Sequence, residues 1–156
     1  MFRRIVVPLD GSPLAESILP HVRRLAAGTP LEVVLLAVGA MPRGVERYDD
    51  RVAHLDELVA EEERELVAYL QECARPLVAE GIPVKTCVRL GTPAEEIIRC
   101  AEEVGADAIA MSTHGRTGLD RLLHGSVAGT VMRQAGRPVL LYRPSASTFA
   151  SHHAQP

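Results

Sequence analysis

The chain has no tryptophan, and aromatic residues make up only 3% of it. Surfaces that grip single-stranded nucleic acid stack bases on aromatic rings inside a basic groove. With a net charge of −3 and a pI near 6.1, neither part of such a surface is expected, and nucleic acid is set aside as a partner. Long apolar runs are missing too. The longest, Leu31 to Met41, is broken by Glu32 and falls far short of the ~20 residues that cross a bilayer, so no membrane partner is expected. The opening Met-Phe-Arg-Arg enters a strand-like run at once, without the longer apolar stretch and small-residue cleavage site of an export signal. A cytoplasmic location is the expectation.

Cysteine is scarce: Cys73, Cys87 and Cys100 are an odd number with no CxxC spacing. Cys73 and Cys100 fall on the apolar stripes of predicted helices. They read as small buried hydrophobes in a reducing compartment, in preference to a metal or redox site. Several catalytic and phosphate-binding signatures are also absent. There is no GxxxxGK[ST], no GxGxxG after the first strand and no GxSxG elbow. The SGGxDS and HxGH loops of adenylate-forming enzymes are lacking as well. Nothing in the chain assembles a convincing catalytic set.

What is present is an alternation of short β-branched runs with longer amphipathic segments. Arg4 to Leu9 is a nearly continuous apolar strand, as expected where both faces of a parallel sheet are covered. Ser12 caps a first helix with Pro13 at its first position. Ile18, Val22, Leu25 and Ala26 trace its inward stripe until Gly28 and Pro30. Leu31 to Val38 is the second strand, followed by a polar loop from Gly39 to Asp50. Val52, Leu55, Val59, Leu66, Leu70, Cys73 and Leu77 mark one stripe of a long helix. Its charges, Glu61 to Arg64 among them, read as a solvated face beside no obvious cleft.

Val84 to Leu90 is the third strand. Thr92-Pro93-Ala94-Glu95 then spells a capping box, with Ile97, Ile98, Ala101 and Val104 facing inward. Ala108 to Met111 is the core of a fourth strand. Ser126 to Gln134 is a short helix and Pro138 to Tyr142 the fifth strand. Residues 144–156 lack periodicity and read as a disordered tail carrying the incidental His152 and His153. The order predicts one α/β domain over 1–143: a single open, doubly wound, five-stranded parallel sheet with helices on both faces and strand order 3-2-1-4-5. Ligands in such sheets bind beyond the carboxyl ends of the strands, where the winding reverses. That selects the loops after Leu9, Val38 and Met111.

The most informative stretch is Met111 to Val127, MSTHGRTGLDRLLHGSV. Its second glycine turn, Gly125-Ser126, opens a helix whose free amides suit phosphate, and Arg116 adds a fixed positive charge. The same residues also fit ordinary loop glycines, Gly115 and Gly118, and an ordinary N-cap at Ser126. Pattern alone does not separate the two. Asp10 could accept from adenine or ribose, or organise the turn into the first helix, and by itself the turn role is favoured. His114 and His124 read as loop residues.

Together these residues resemble the universal stress protein family. The opening RRIVVPLDGSPLAESIL resembles its first strand and Asp-Gly-Ser turn, and the stretch from Gly91 to Arg143 resembles its carboxyl-terminal half. Members that bind ATP carry two glycines separated by two residues, then nine residues, then Gly-Ser or Gly-Thr. Gly115 and Gly125-Ser126 match the later part of that pattern, and Ser112 stands in place of the first glycine. The resemblance implies ATP as the ligand, with or without Mg²⁺. Pro8, Leu9, Asp10 and Val38 would lie along adenine and ribose. Met111, Ser112, Thr113, Gly115, Arg116, Gly125, Ser126 and Val127 would lie along ribose and phosphates. It further implies a stress-response regulator that dimerises through its last strand, Val139 to Tyr142. The competing functions are a slow Mg²⁺-dependent ATPase and a partner-binding dimer with a vestigial pocket.

Overall fold

The computed structural model describes residues 1–41, 51–113 and 126–145, with backbone alone at 51–53. Five strands form one parallel sheet: β1 (Arg4–Leu9), β2 (Glu32–Gly39), β3 (Val84–Leu90), β4 (Ala108–Ser112) and β5 (Val139–Tyr142), in the order β3-β2-β1-β4-β5. The helices are α1 (Pro13–Glu16), α2 (Leu19–Ala26), α3 (Arg51–Ala79), α4 (Pro93–Glu103) and α5 (Val127–Gln134). The expected doubly wound architecture and strand order are what the chain adopts.

Side chains alternate across the sheet, so each strand feeds two cores. Ile5, Val7, Val33 and Leu35 pack with Val22 of α2 and with Leu70 and Leu77 of α3. Val6, Val34, Leu36 and Ile109 pack on the opposite face with Ile97, Cys100 and Ala101 of α4 and Val131 of α5. β1 and most of β2 are buried on both faces, which is why their sequences read as unbroken apolar runs.

Three local expectations need correction. The first helix is two helices, because Pro20 has no N–H to give and its ring crowds the preceding turn. The chain breaks at Ser17-Ile18; Ile18, Val22 and Ala26 of the expected stripe are buried, while Leu25 is 41% exposed. The capping box at α4 does not form: the Thr92 side chain makes no cap hydrogen bond. Glu96 turns inward instead, 7% exposed and paired with Arg99 at 2.6 Å. It lies under Gly91, where an added Cβ would come within 3.1 Å of its Cγ. Finally, the charged stretch of α3 is not uniformly solvated, since Glu62 is half-buried and bonded to the backbone.

Candidate functional site

The winding of the sheet reverses between β1 and β4, and there the strands part at their carboxyl ends. β1 stays in register with β2 from Arg4↔Glu32 to Leu9↔Ala37. Its pairing with β4 is confined to Ile5↔Ala108 and Val6↔Ile109, although β4 runs on beside β5 to Ser112↔Tyr142. Pro8 supplies a reason. In a parallel strand the N–H and C=O of one residue turn to the same neighbour, and alternate residues serve alternate sides. The Arg4 carbonyl accepts from Asp107 beside β4, and the Arg3 carbonyl from Glu32 of β2. Pro8, two residue pairs along from Arg4, therefore faces β4 with no N–H to offer. The ladder ends and a crevice opens.

Asp10 stands exposed at the lip of that crevice, directly after the fully apolar Leu9. Its Oδ1 accepts from the Ser12 amide at 2.9 Å and from the Ser12 hydroxyl at 2.5 Å, so the turn role is realised through one oxygen. Ser12 in turn caps α1 by accepting from the Ala15 amide at 3.1 Å. Gly11, at φ +82, holds a conformation that side chains disfavour. Its amide donates to the Tyr69 hydroxyl at 3.1 Å, and that hydroxyl donates to Glu16 Oε1 at 2.8 Å. Tyr69 thus ties the loop after β1 to α1 from the middle of α3. Burial, reinforced by the bond to Glu16, pushes its phenol well above its ordinary range, so it stays a neutral donor.

The other wall comes from β4. Met111 is buried, Ser112 half-buried, and Thr113 is 8% exposed with its amide bonded to the Tyr142 carbonyl at 2.9 Å. The Ser112 and Ser17 hydroxyls meet at 2.9 Å. Ser17 spends its single proton on the Leu14 carbonyl at 2.5 Å, so Ser112 must be the donor between them. The hydroxyl that replaces the motif glycine is therefore held against α1. Ser126 caps α5, accepting from the Gly129 amide at 2.9 Å, and Val127 begins the helix 40% exposed. Gly115, Arg116 and Gly125 lie outside the described residues, as do His114 and His124.

At the end of β2, Val38 is half-buried and the Ala40 amide donates to Glu62 Oε1 at 3.2 Å. Gly39 sits under the same carboxylate, and an added Cβ there would meet Leu90 Cδ2 at 2.8 Å and Glu62 Oε1 at 2.9 Å. Tyr69 and Glu62 are the edge residues that sequence reasoning missed. Both come from a helix whose periodicity is generic, and no local motif marks them.

The carboxyl ends of β1 and β4 carry the Asp10 carboxylate and, around it, the hydroxyls of Ser12, Ser17 and Ser112, while Ser126 caps the start of α5. Among the described residues no group of three or more His, Cys, Asp and Glu could hold a metal ion. No helix among them is long and apolar enough to cross a membrane.

Comparison with known proteins places these features in context. The model of the Universal stress protein family matches residues 1–143. Universal stress protein MJ0577 of Methanocaldococcus jannaschii is 35% identical over an alignment covering 92% of this chain and 96% of that protein. The solved structure of MJ0577 superposes with a TM-score of 0.75 at 32% identity, over 94% of this chain and 99% of that one. Two more distant structures share the fold. One is a universal stress protein in complex with cAMP, at TM-score 0.67 and 21% identity over 92% of this chain and 98% of that one. The other, from Archaeoglobus fulgidus in complex with dAMP, has TM-score 0.58 and 24% identity over 88% and 95%.

Proposed function

The chain belongs to the universal stress protein family, and from that premise we propose that it binds ATP where β1 and β4 part and acts as a nucleotide-dependent regulator. The observation that carries this reading is the crevice itself. It lies at the switch point where the β1–β4 ladder stops, with Asp10 following β1 and Ser112 and Thr113 closing β4. Proteins of the same fold have been crystallised with cAMP and with dAMP, both adenine nucleotides.

The Asp10 carboxylate and the backbone around Pro8, Leu9 and Val38 take adenine and ribose. A carboxylate has two oxygens, and Asp10 uses Oδ1 for the turn, so Oδ2 serves as the ligand acceptor. Ser112, Thr113, Gly115, Arg116, Gly125, Ser126 and Val127 line the ribose and phosphates. The α5 N-terminus supplies amides and a partial positive charge. Mg²⁺, if it accompanies ATP, neutralises phosphate charge. The reading also includes a homodimer formed by pairing β5 strands. β5 is a sheet edge whose four apolar residues, Val139 to Tyr142, are all only half-buried in one chain, and edge pairing would cover them. The location that suits this regulator is the cytoplasm.

Replacing Gly125 with Val tests the placement of the phosphates. The branched side chain crowds the backbone approach, and affinity for ATP falls at least about tenfold while far-UV circular dichroism is unchanged. Equal affinity in that variant removes the phosphates from this turn.

A further inference from the structure

Three serine hydroxyls around the carboxyl ends of β1 and β4 direct their protons into the protein. Ser12 donates to Asp10 Oδ1 at 2.5 Å, Ser17 to the Leu14 carbonyl at 2.5 Å, and Ser112 to Ser17 at 2.9 Å. A hydroxyl carries one proton and two lone pairs, so what each oxygen still has to offer is acceptance. Ser12 accepts from the Ala15 amide, and Ser17 accepts from Ser112. Ser112 heads the second relay, giving its proton to Ser17, which gives its own to the Leu14 carbonyl.

Position matters as much as polarity. Ser112 closes β4 three residues past Ile109, where the register with β1 ends, and it is half-buried. Its side chain turns to the sheet face on which α1 lies. The Asp10 carboxylate, directly after β1, adds a negative charge to the same edge of the sheet. A phosphate oxygen is itself an anionic acceptor and gains nothing from a serine oxygen whose proton is held elsewhere. A ligand group that brings its own proton does gain.

We propose that Ser112 Oγ accepts a hydrogen bond from a ribose hydroxyl and so makes this chain prefer ribonucleotides to deoxyribonucleotides. The inference rests on the nucleotide reading above and sharpens it: the ligand keeps an intact sugar, and its phosphates are left to the α5 N-terminus. A glycine offers no side-chain acceptor, so the preference belongs to the serine that replaces it. Ser17 makes the serine selective. A hydroxyl free to turn could give its proton to a phosphate or accept one from a sugar, and the relay removes the first choice.

The test is paired titration calorimetry of the nucleotide-stripped chain with ATP, 2′-deoxy-ATP and 3′-deoxy-ATP, each with Mg²⁺, repeated on Ser112→Ala. In wild type one of the two deoxy analogues binds about threefold more weakly than ATP, the size of a modest neutral hydrogen bond. In Ser112→Ala the affinity for ATP falls to that of the analogue, the analogue's own affinity is unchanged, and the ratio closes to one. Equal binding of all three by wild type overturns the inference and leaves the nucleotide reading standing. A preference that survives in Ser112→Ala overturns it as well. Binding of none of the three removes the reading and the inference together. The wild-type comparison needs no variant, so it remains decisive even if Ser112→Ala folds poorly.

Discussion

The two edges of the sheet are built from different materials. At the amino edge, charge is closed on itself. Glu32 takes Arg4 on one oxygen and Lys85 on the other, the latter at 3.0 Å, and Arg4 also reaches the Val104 carbonyl at the end of α4. Asp107 Oδ2 accepts from the Arg3 and Arg4 amides at 2.7 and 2.9 Å. Arg137 Nη1 donates to the carbonyls of Ala101 and Ala106 at 2.8 and 2.6 Å. At the carboxyl edge between β1 and β4, the links are hydroxyls and amides: Tyr69 to Gly11 and Glu16, Ser12 to Asp10, Ser112 to Ser17. Cations set on helix carbonyls complement the macrodipole and close the protein against itself. Short neutral donors around a carboxylate and a helix start leave an edge that can receive an anionic ligand. The difference marks the amino edge as the stabilising one and, on the proposed function, the carboxyl edge as the one that binds.

The largest expected stability effect comes from breaking the closed edge. Arg137→Ala removes a half-buried cation from two carbonyls and costs about 2 kcal/mol in urea unfolding, with nucleotide affinity unchanged. A matching loss of affinity would blur the division between the edges. Tyr69→Phe acts on the other side. It leaves the Gly11 amide and Glu16 without their shared partner and costs about 1 kcal/mol. Because the Asp10 turn loosens, the larger change is read in calorimetry, as an ATP affinity several-fold lower. Ser112→Gly is smaller still. The lost bond to Ser17 lowers stability by less than about 1 kcal/mol, and affinity holds within about threefold because the hydroxyl was already engaged with α1.

The smallest effect is pH dependence at the amino edge. Hydrogen bonds from the Arg3 and Arg4 amides hold Asp107 below its usual value. Burial alone would raise Glu32, but Lys85 and Arg4 outweigh it and the net shift is downward. A carboxylate whose folded value is depressed stabilises the fold above its unfolded value, and the contribution is lost as pH falls through the folded one. Asp107→Asn therefore flattens the acid limb of a thermal-denaturation profile below about pH 4 and leaves the neutral region nearly unchanged. A variant that parallels wild type throughout would remove Asp107 from the closed edge.

Much of this was legible from the residues. The apolar runs marked all five strands, and the caps at Ser12 and Ser126 follow from short polar side chains placed just before helices. Other features depend on competition that local patterns do not express. Pro20 splits a helix that periodicity alone continues. Glu96, one position beyond the expected Glu95, takes the buried place under Gly91, and the Thr92 box is left unmade. Tyr69 reaches Gly11 across 58 positions and Glu62 reaches Ala40 across 22, contacts that exist only once α3 packs on the sheet. Pro8 was visible as a residue of β1, but its role in ending the β4 ladder needed the register.

Titration calorimetry on the purified, nucleotide-stripped chain, with ATP and Mg²⁺ in one series and AMP in another, tests the binding edge most directly. The account predicts micromolar binding of ATP and weaker binding of AMP, since AMP lacks the outer phosphates that the Gly125-Ser126 turn would hold. No heat with ATP, and no competition by any adenine nucleotide, would contradict it and leave a partner-binding dimer with a vestigial crevice.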